Sequence, residues 1–178
     1  MPEEPLDLRP VSQITADAIG QPGSRVFYIQ GRQGDRAVTL VVEKSHIQLL
    51  AASVDQFLEE LGQKHPGLPA ASPEYNPDRM RIHPPVEPLF HVGQMGLGYD
   101  AENDLAVIVC KEAVPEGADP KQAREVRFWI TRSQLSALCH WGAEVAARGR
   151  PICAQCGEPM DPGGHFCPKR NGHKKTGQ

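Results

Sequence analysis

The sequence predicts an α+β fold, in which duplicated β-β-β-α units form one mostly antiparallel sheet with two helices on one face, followed by a small C-terminal tail of different character. Three observations point there. Runs of β-branched and aromatic residues are separated by Gly, Pro and Asp turns. Two stretches space their apolar residues at helical intervals. The same order of runs then returns after a proline-rich stretch. The chain has 178 residues, 39% hydrophobic and 23% charged, which suits one body with a buried core and an appendage.

The first strand-like run, Ile14 to Ile19, is weak and ends at the turn Gln21-Pro22-Gly23. Arg25 to Gly31 and Arg36 to Glu43 are stronger, and Gly34-Asp35 between them signals a hairpin. Ser45 is placed to cap a helix whose apolar face is Ile47, Leu50, Val54, Phe57, Leu58 and Leu61. Seven of the 17 prolines then fall between Gly62 and Phe90. Proline lacks a backbone donor and fixes φ, so residues 63–89 are expected to form an irregular linker, extended at Pro84-Pro85. Beyond it, Phe90 to Tyr99 and Leu105 to Val114 read as strands around the polar turn Asp100 to Asp104. After a loop from Glu116 to Gln122, Val126 to Thr131 alternates apolar and polar residues. Ser133 is then placed to cap a second helix carrying Leu135, Leu138, Trp141 and Val145.

The two helix starts overlay. Val42-Glu43-Lys44-Ser45-His46-Ile47 matches Ile130-Thr131-Arg132-Ser133-Gln134-Leu135 in its apolar strand end, basic residue, serine and aliphatic residue two places on. This reads as a duplicated unit filling residues 1–147, giving six strands. Two units sharing a sheet bury more apolar surface than either does alone.

Residues 148–178 differ. Six basic residues stand there against Glu158 and Asp161, a net +4, which leaves −7 on residues 1–147 out of the chain's −3. No periodic apolar pattern continues, so something other than a hydrophobic core must order this tail. The spacing supplies it: Cys153-x2-Cys156-x8-His165-x-Cys167. Three thiolates and an imidazole make a closed tetrahedral zinc set of the structural, ribbon-like kind. Gly157 permits a knuckle after the second cysteine, and Asp161-Pro162-Gly163-Gly164 turns the chain back. Zn2+ binding then provides the folding free energy. A redox-active Cys-x2-Cys calls for a preceding strand and a following helix, whereas Pro151 precedes this pair and Gly157 and Pro159 follow it. Spacing favours His165 over His173 as fourth ligand. The full ligand shell and the absence of an upstream His-x-Glu speak against a catalytic zinc.

Elsewhere the chemistry is sparse. Cys110 and Cys139 fall within a strand and a helix pattern and read as buried thiols. His46, His91 and His140 share no ligand spacing. Gly93, Gly96 and Gly98 sit in a strand context that suits a bulge or close packing better than phosphate binding. No acid–base pair, nucleophile motif or nucleotide loop occurs, so the reading is non-enzymatic. No apolar run is long enough to span a membrane, and the acidic Met1-Pro2-Glu3-Glu4-Pro5 start lacks the apolar core of a secretory leader. A cytoplasmic protein is expected.

Four stretches resemble domain-of-unknown-function family 3090 of actinobacteria and related bacteria. They are residues 20–27 (Gly-Gln-Pro-Gly-Ser-Arg-Val-Phe), 41–44 (Val-Val-Glu-Lys), 90–100 (Phe-His-Val-Gly-Gln-Met-Gly-Leu-Gly-Tyr-Asp) and 149–157 (Gly-Arg-Pro-Ile-Cys-Ala-Gln-Cys-Gly), the last continued by 164–172. Members of the family often carry tyrosine where this chain has His173, which again favours His165. They lie near genes for a histidine-phosphatase-like and a phosphoinositide-kinase-like protein, so the resemblance implies a protein partner among such products. The functional expectation is a zinc-binding, non-enzymatic protein-interaction module. The alternative is a single-strand nucleic-acid binder using the basic tail and a sheet face with Phe27, Tyr28, Arg32, Arg127 and Trp129. Sparse aromatics (6%) and the acidic body make nucleic-acid binding the weaker reading.

Overall fold

The computed structural model describes residues 3–21, 23–148, 153–157 and 166–169. Among them the chain forms β1 (Leu6–Leu8), β2 (Gln13–Ile19), β3 (Val26–Gln33), β4 (Arg36–Val42), α1 (Lys44–Lys64), β5 (Pro88–Asp100), β6 (Leu105–Glu112), β7 (Glu125–Ile130) and α2 (Arg132–Ala147). The strands make one seven-stranded sheet in the order β1-β7-β6-β5-β4-β3-β2. It is mostly antiparallel, with parallel pairs at β1–β7 and β4–β5. The order β-β-β-α therefore occurs twice, and β4 joins β5 at the middle.

Period-two alternation decides what each strand buries. Ile29, Leu40, Ile108 and Phe128 face one side and are wholly buried, with Val126 and Ile130 beside Phe128. Both helices close this side: Ile47, Leu50, Leu135, Leu138 and Trp141 belong to the same core. Trp141 Nε1 donates to the Ala16 carbonyl at 2.8 Å, which ties α2 to β2.

The sheet rolls until its two ends meet. Only residues 9–12 separate β1 from β2. In that link the Val11 N–H donates to Trp129 O and the Ser12 N–H to Arg32 O, each at 2.8 Å. Across the interior the Phe128 ring lies so near Gly31 that a Cβ there would sit 2.4 Å from Phe128 Cδ1. Thus β7 and β3 touch, although β6, β5 and β4 separate them in the sheet order.

The elements fall where the patterns place them, with three corrections. The expected six strands become seven, because Leu6–Leu8 adds in parallel beside β7. The helices do not begin on their serines: α1 is capped at Glu43, whose N–H donates to His46 Nδ1 at 3.0 Å. Likewise α2 is capped by Thr131, which accepts from the Gln134 N–H at 3.0 Å while its own N–H donates to Gln134 Oε1 at 2.8 Å. The Pro84–Pro85 peptide bond is cis, at odds with the extended polyproline run expected there.

The proline-rich stretch between α1 and β5 is tied to the body by hydrogen bonds. Residues 69–75 lie against α2: Arg132 Nη1 donates to Pro69 O at 2.7 Å, the Ser72 N–H to Ser133 Oγ at 2.9 Å, and Tyr75 OH to Glu144. A 3-10 turn, Pro77–Met80, follows. Residues 79–83 then cross the sheet face opposite the helices, held by the outward side chains of β2 and β3. Gln30 Nε2 donates to His83 O at 3.0 Å, and its Oε1 accepts from the His83 N–H at 2.9 Å. Asp17 accepts from the Ile82 N–H at 3.1 Å, and Thr15 donates to Met80 O. Among the described residues no buried side-chain polar atom lacks a partner.

Candidate metal centre

Cys153, Cys156 and Cys167 come together, with their sulfurs all within 4.8 Å of one another. The first two lie three residues apart on one turn, closed by the Gly157 N–H donating to Cys153 O at 2.8 Å. That turn needs Gly157 at φ +74°, a conformation a Cβ disfavours. Cys153 and Cys167 are buried and 3.9 Å apart at sulfur. Bonds of about 2.3 Å to a tetrahedral ion would put sulfurs roughly 3.8 Å apart, whereas a disulfide needs about 2.05 Å. The 3.9 Å separation is too long for a disulfide and fits two ligands of one ion, and these three cysteines could hold one.

The local field favours the thiolate. The backbone N–H groups of Cys156 and Gln155 point at the Cys153 sulfur and hold its pKa down at about 6. The Gln155 side chain lies against Cys167 at 3.7 Å. Cys110 and Cys139 are the opposite case: both are buried in the body, and burial pushes each thiol up to about 12. They stay protonated and are core residues, as their strand and helix patterns indicate. The expected fourth ligand, His165, and its competitor His173 lie outside the described residues.

The other candidates resolve into structure. His46 is used in the start of α1, and His140 Nδ1 lies 2.7 Å from Ser136 O. Gly93 sits at a register shift of β5, where a Cβ would fall 2.8 Å from Ala113 Cα; at Gly98 it would fall 2.9 Å from Val107 Cγ1. Close packing explains both glycines. The proposed nucleic-acid face is not one face. Phe27 points into the core beneath the helices, opposite Tyr28, because neighbours along a strand alternate. Trp129 is already covered by Arg9, whose guanidinium carbon lies 4.1 Å from the ring centroid, and its Nε1 donates to Asp7 at 2.6 Å. Arg127 pairs with Glu125 at 2.6 Å. Among the described residues no helix is long and apolar enough to cross a membrane.

One site escaped the sequence reading. Arg25, Lys44 and His91 line a shared crevice of about 390 Å³. The signal was available, since each lies in one of the stretches that carry the family resemblance, but their proximity depends on the fold.

No curated protein and no solved structure matches the chain. A family model does, from the first strand through the last cysteine of the cluster. It is described as a protein of unknown function (DUF3090), it covers residues 6–167, and the chain belongs to that family.

Proposed function

We propose that this protein is a non-enzymatic, zinc-binding protein-interaction module whose tail is ordered by a structural Cys3His site. The observation that carries the reading is the convergence of three sulfurs, with Cys153 and Cys167 at 3.9 Å. Cys153, Cys156 and Cys167 are three ligands, and His165, two residues before Cys167, is the fourth. A closed shell of this kind stabilises a fold and leaves no open position for substrate. The tail then presents its basic residues and the exposed Phe166 on a metal-fixed frame to a protein partner. The two β-β-β-α runs are read as a duplicated unit. Its support is that both helices are capped at the overlaid positions, Glu43 with His46 and Thr131 with Gln134.

Elemental analysis of the purified full chain tests the metal. One zinc per chain is expected, lost for the most part in Cys153→Ala. Cobalt substitution tests the fourth ligand: the visible bands of a three-thiolate, one-nitrogen site should change in His165→Ala and persist in His173→Ala. Metal-free protein, or Cys153→Ala with full metal content, overturns the reading. The interaction role requires that a partner captured by the full chain be lost both on deletion of residues 150–178 and in Cys153→Ala.

A further inference from the structure

At Val42 the chain leaves the sheet for α1, while β5, the parallel neighbour of β4, continues past it. The crevice of about 390 Å³ opens there, lined by Gly23, Arg25, Val26, Val41, Lys44 and His91 among others. In open parallel α/β sheets, ligands bind in crevices outside the carboxyl ends of the strands, and this crevice lies beside the carboxyl end of one strand of a parallel pair, β4. Three separate stretches of sequence build it, 20–27, 41–44 and 90–100, and the metal centre uses none of them.

The lining combines fixed cations with an apolar wall. Arg25 is held in place: its Nη1 donates to Val145 O at 3.1 Å, and its guanidinium carbon lies 4.9 Å from the Phe27 ring centroid. The remaining N–H groups of that guanidinium make no bond among the described residues. Arginine offers five donors in a planar fork that matches a carboxylate. Lys44, the first residue of α1, has no ion-pair partner among the described residues. It stands where the helix dipole is positive and backbone N–H groups lack intrahelical acceptors. Val26 is 42% exposed, and with Val41 on the same face of the sheet it gives the crevice an apolar side.

Charge balance narrows the ligand. The fixed charges of the lining are Arg25 and Lys44 against one carboxylate, Glu43, a net +1. A single negative charge matches it, whereas a phosphate dianion would place excess negative charge beside Glu43. We infer that this crevice binds a small organic carboxylate with an apolar body. Arg25 and Lys44 hold the carboxylate, His91 offers a ring N–H, and Val26 and Val41 take the apolar part.

The test is an amide chemical-shift titration of the isotope-labelled full chain with phenylacetate, run beside benzyl alcohol and phenyl phosphate. Phenylacetate should give saturable shifts at Gly23 to Phe27, Val41 to Lys44 and His91. Benzyl alcohol should give none, and phenyl phosphate should bind more weakly. Lys44→Ala alters an exposed side chain and should weaken phenylacetate about tenfold, with the rest of the spectrum unmoved. Arg25→Lys keeps the charge but loses the fork, and should weaken it as well. Absence of saturable phenylacetate binding, shifts confined to other regions, or an unchanged affinity in Lys44→Ala overturns the inference. Tighter binding of phenyl phosphate overturns the carboxylate assignment.

Discussion

At Gly31 the absent side chain matters because Phe128 occupies the space that one would need. A Cβ would meet the ring at 2.4 Å, and the ring is itself wholly buried among Val126, Ile130 and their neighbours. Neither partner has room to move. Gly31→Ala is therefore expected to destabilise the body by about 1–3 kcal/mol, the usual cost of overpacking. The urea midpoint would show it, and an unchanged midpoint would mean that β3 and β7 do not meet as described. No sequence pattern announces this glycine, since Gly31 and Phe128 are joined only by the rolling of the sheet. The meeting of the three cysteines was legible for the converse reason: a Cys-x2-Cys turn with a third cysteine eleven residues on is written in short-range spacing. Arg25, Lys44 and His91 were not, because each is an ordinary surface residue until three distant stretches come together.

The helix starts illustrate how local chemistry competes. Ser45 and Ser133 have the right residue type, but each lies inside the first turn. The reciprocal bonds of Thr131 with Gln134 begin α2 two residues earlier. Thr131→Ala should then cost about 1 kcal/mol, while Ser45→Ala, exposed and with no side-chain bond among the described residues, should stay within about 0.5 kcal/mol. Denaturant melts of the two variants side by side check this, and equal losses would place the caps wrongly. The overlay of the two helix starts survives the correction, since both caps shift to matching positions. β1 was missed because three residues show no periodicity. Its place comes from pairing with β7, 120 residues away. The proline-rich stretch between α1 and β5 holds only the 3-10 turn Pro77–Met80. Its fastening by Gln30 and Asp17 depends on which strand residues face outward at that point, and no linker residue encodes that.

For the molecule as a whole, ion pairs set the response to acid. Hydrogen bonds from Asn103 and then Arg9 hold Asp100 down at about 2. Arg132 lowers Asp104, and Arg124 lowers Glu112. Each folded pKa lies below its unfolded value. The stability they contribute is present above the unfolded carboxylate range and is lost as pH falls through the folded values. Tm should stay level from about pH 7 to 5 and fall between about pH 4 and 2. These groups are partly solvated, so the drop should be modest, and 0.5 M salt should reduce it. A Tm that rises on acidification would contradict the assignment. Deletion of residues 150–178 should leave a cooperatively unfolding body, because the described core runs from Leu8 to Ala146 without using the tail cysteines. Non-cooperative melting of the truncated chain would show that the tail packs as part of that core.

The short link that joins the two ends of the sheet also dictates an order of events. Leu6 pairs with Val126, so the N-terminal strand finds its place only after the last strand has been made. On the ribosome, β2, β3 and β4 with α1 are local in sequence and free to assemble early. Until Phe128 arrives, their inner face stays open at Gly31. Pairings of such long separation must await the rest of the sheet, so final closure is expected to be the slow step of folding. A nascent chain stalled before residue 125 would display an uncovered apolar sheet, the form in which this protein is most exposed to chaperones and to aggregation.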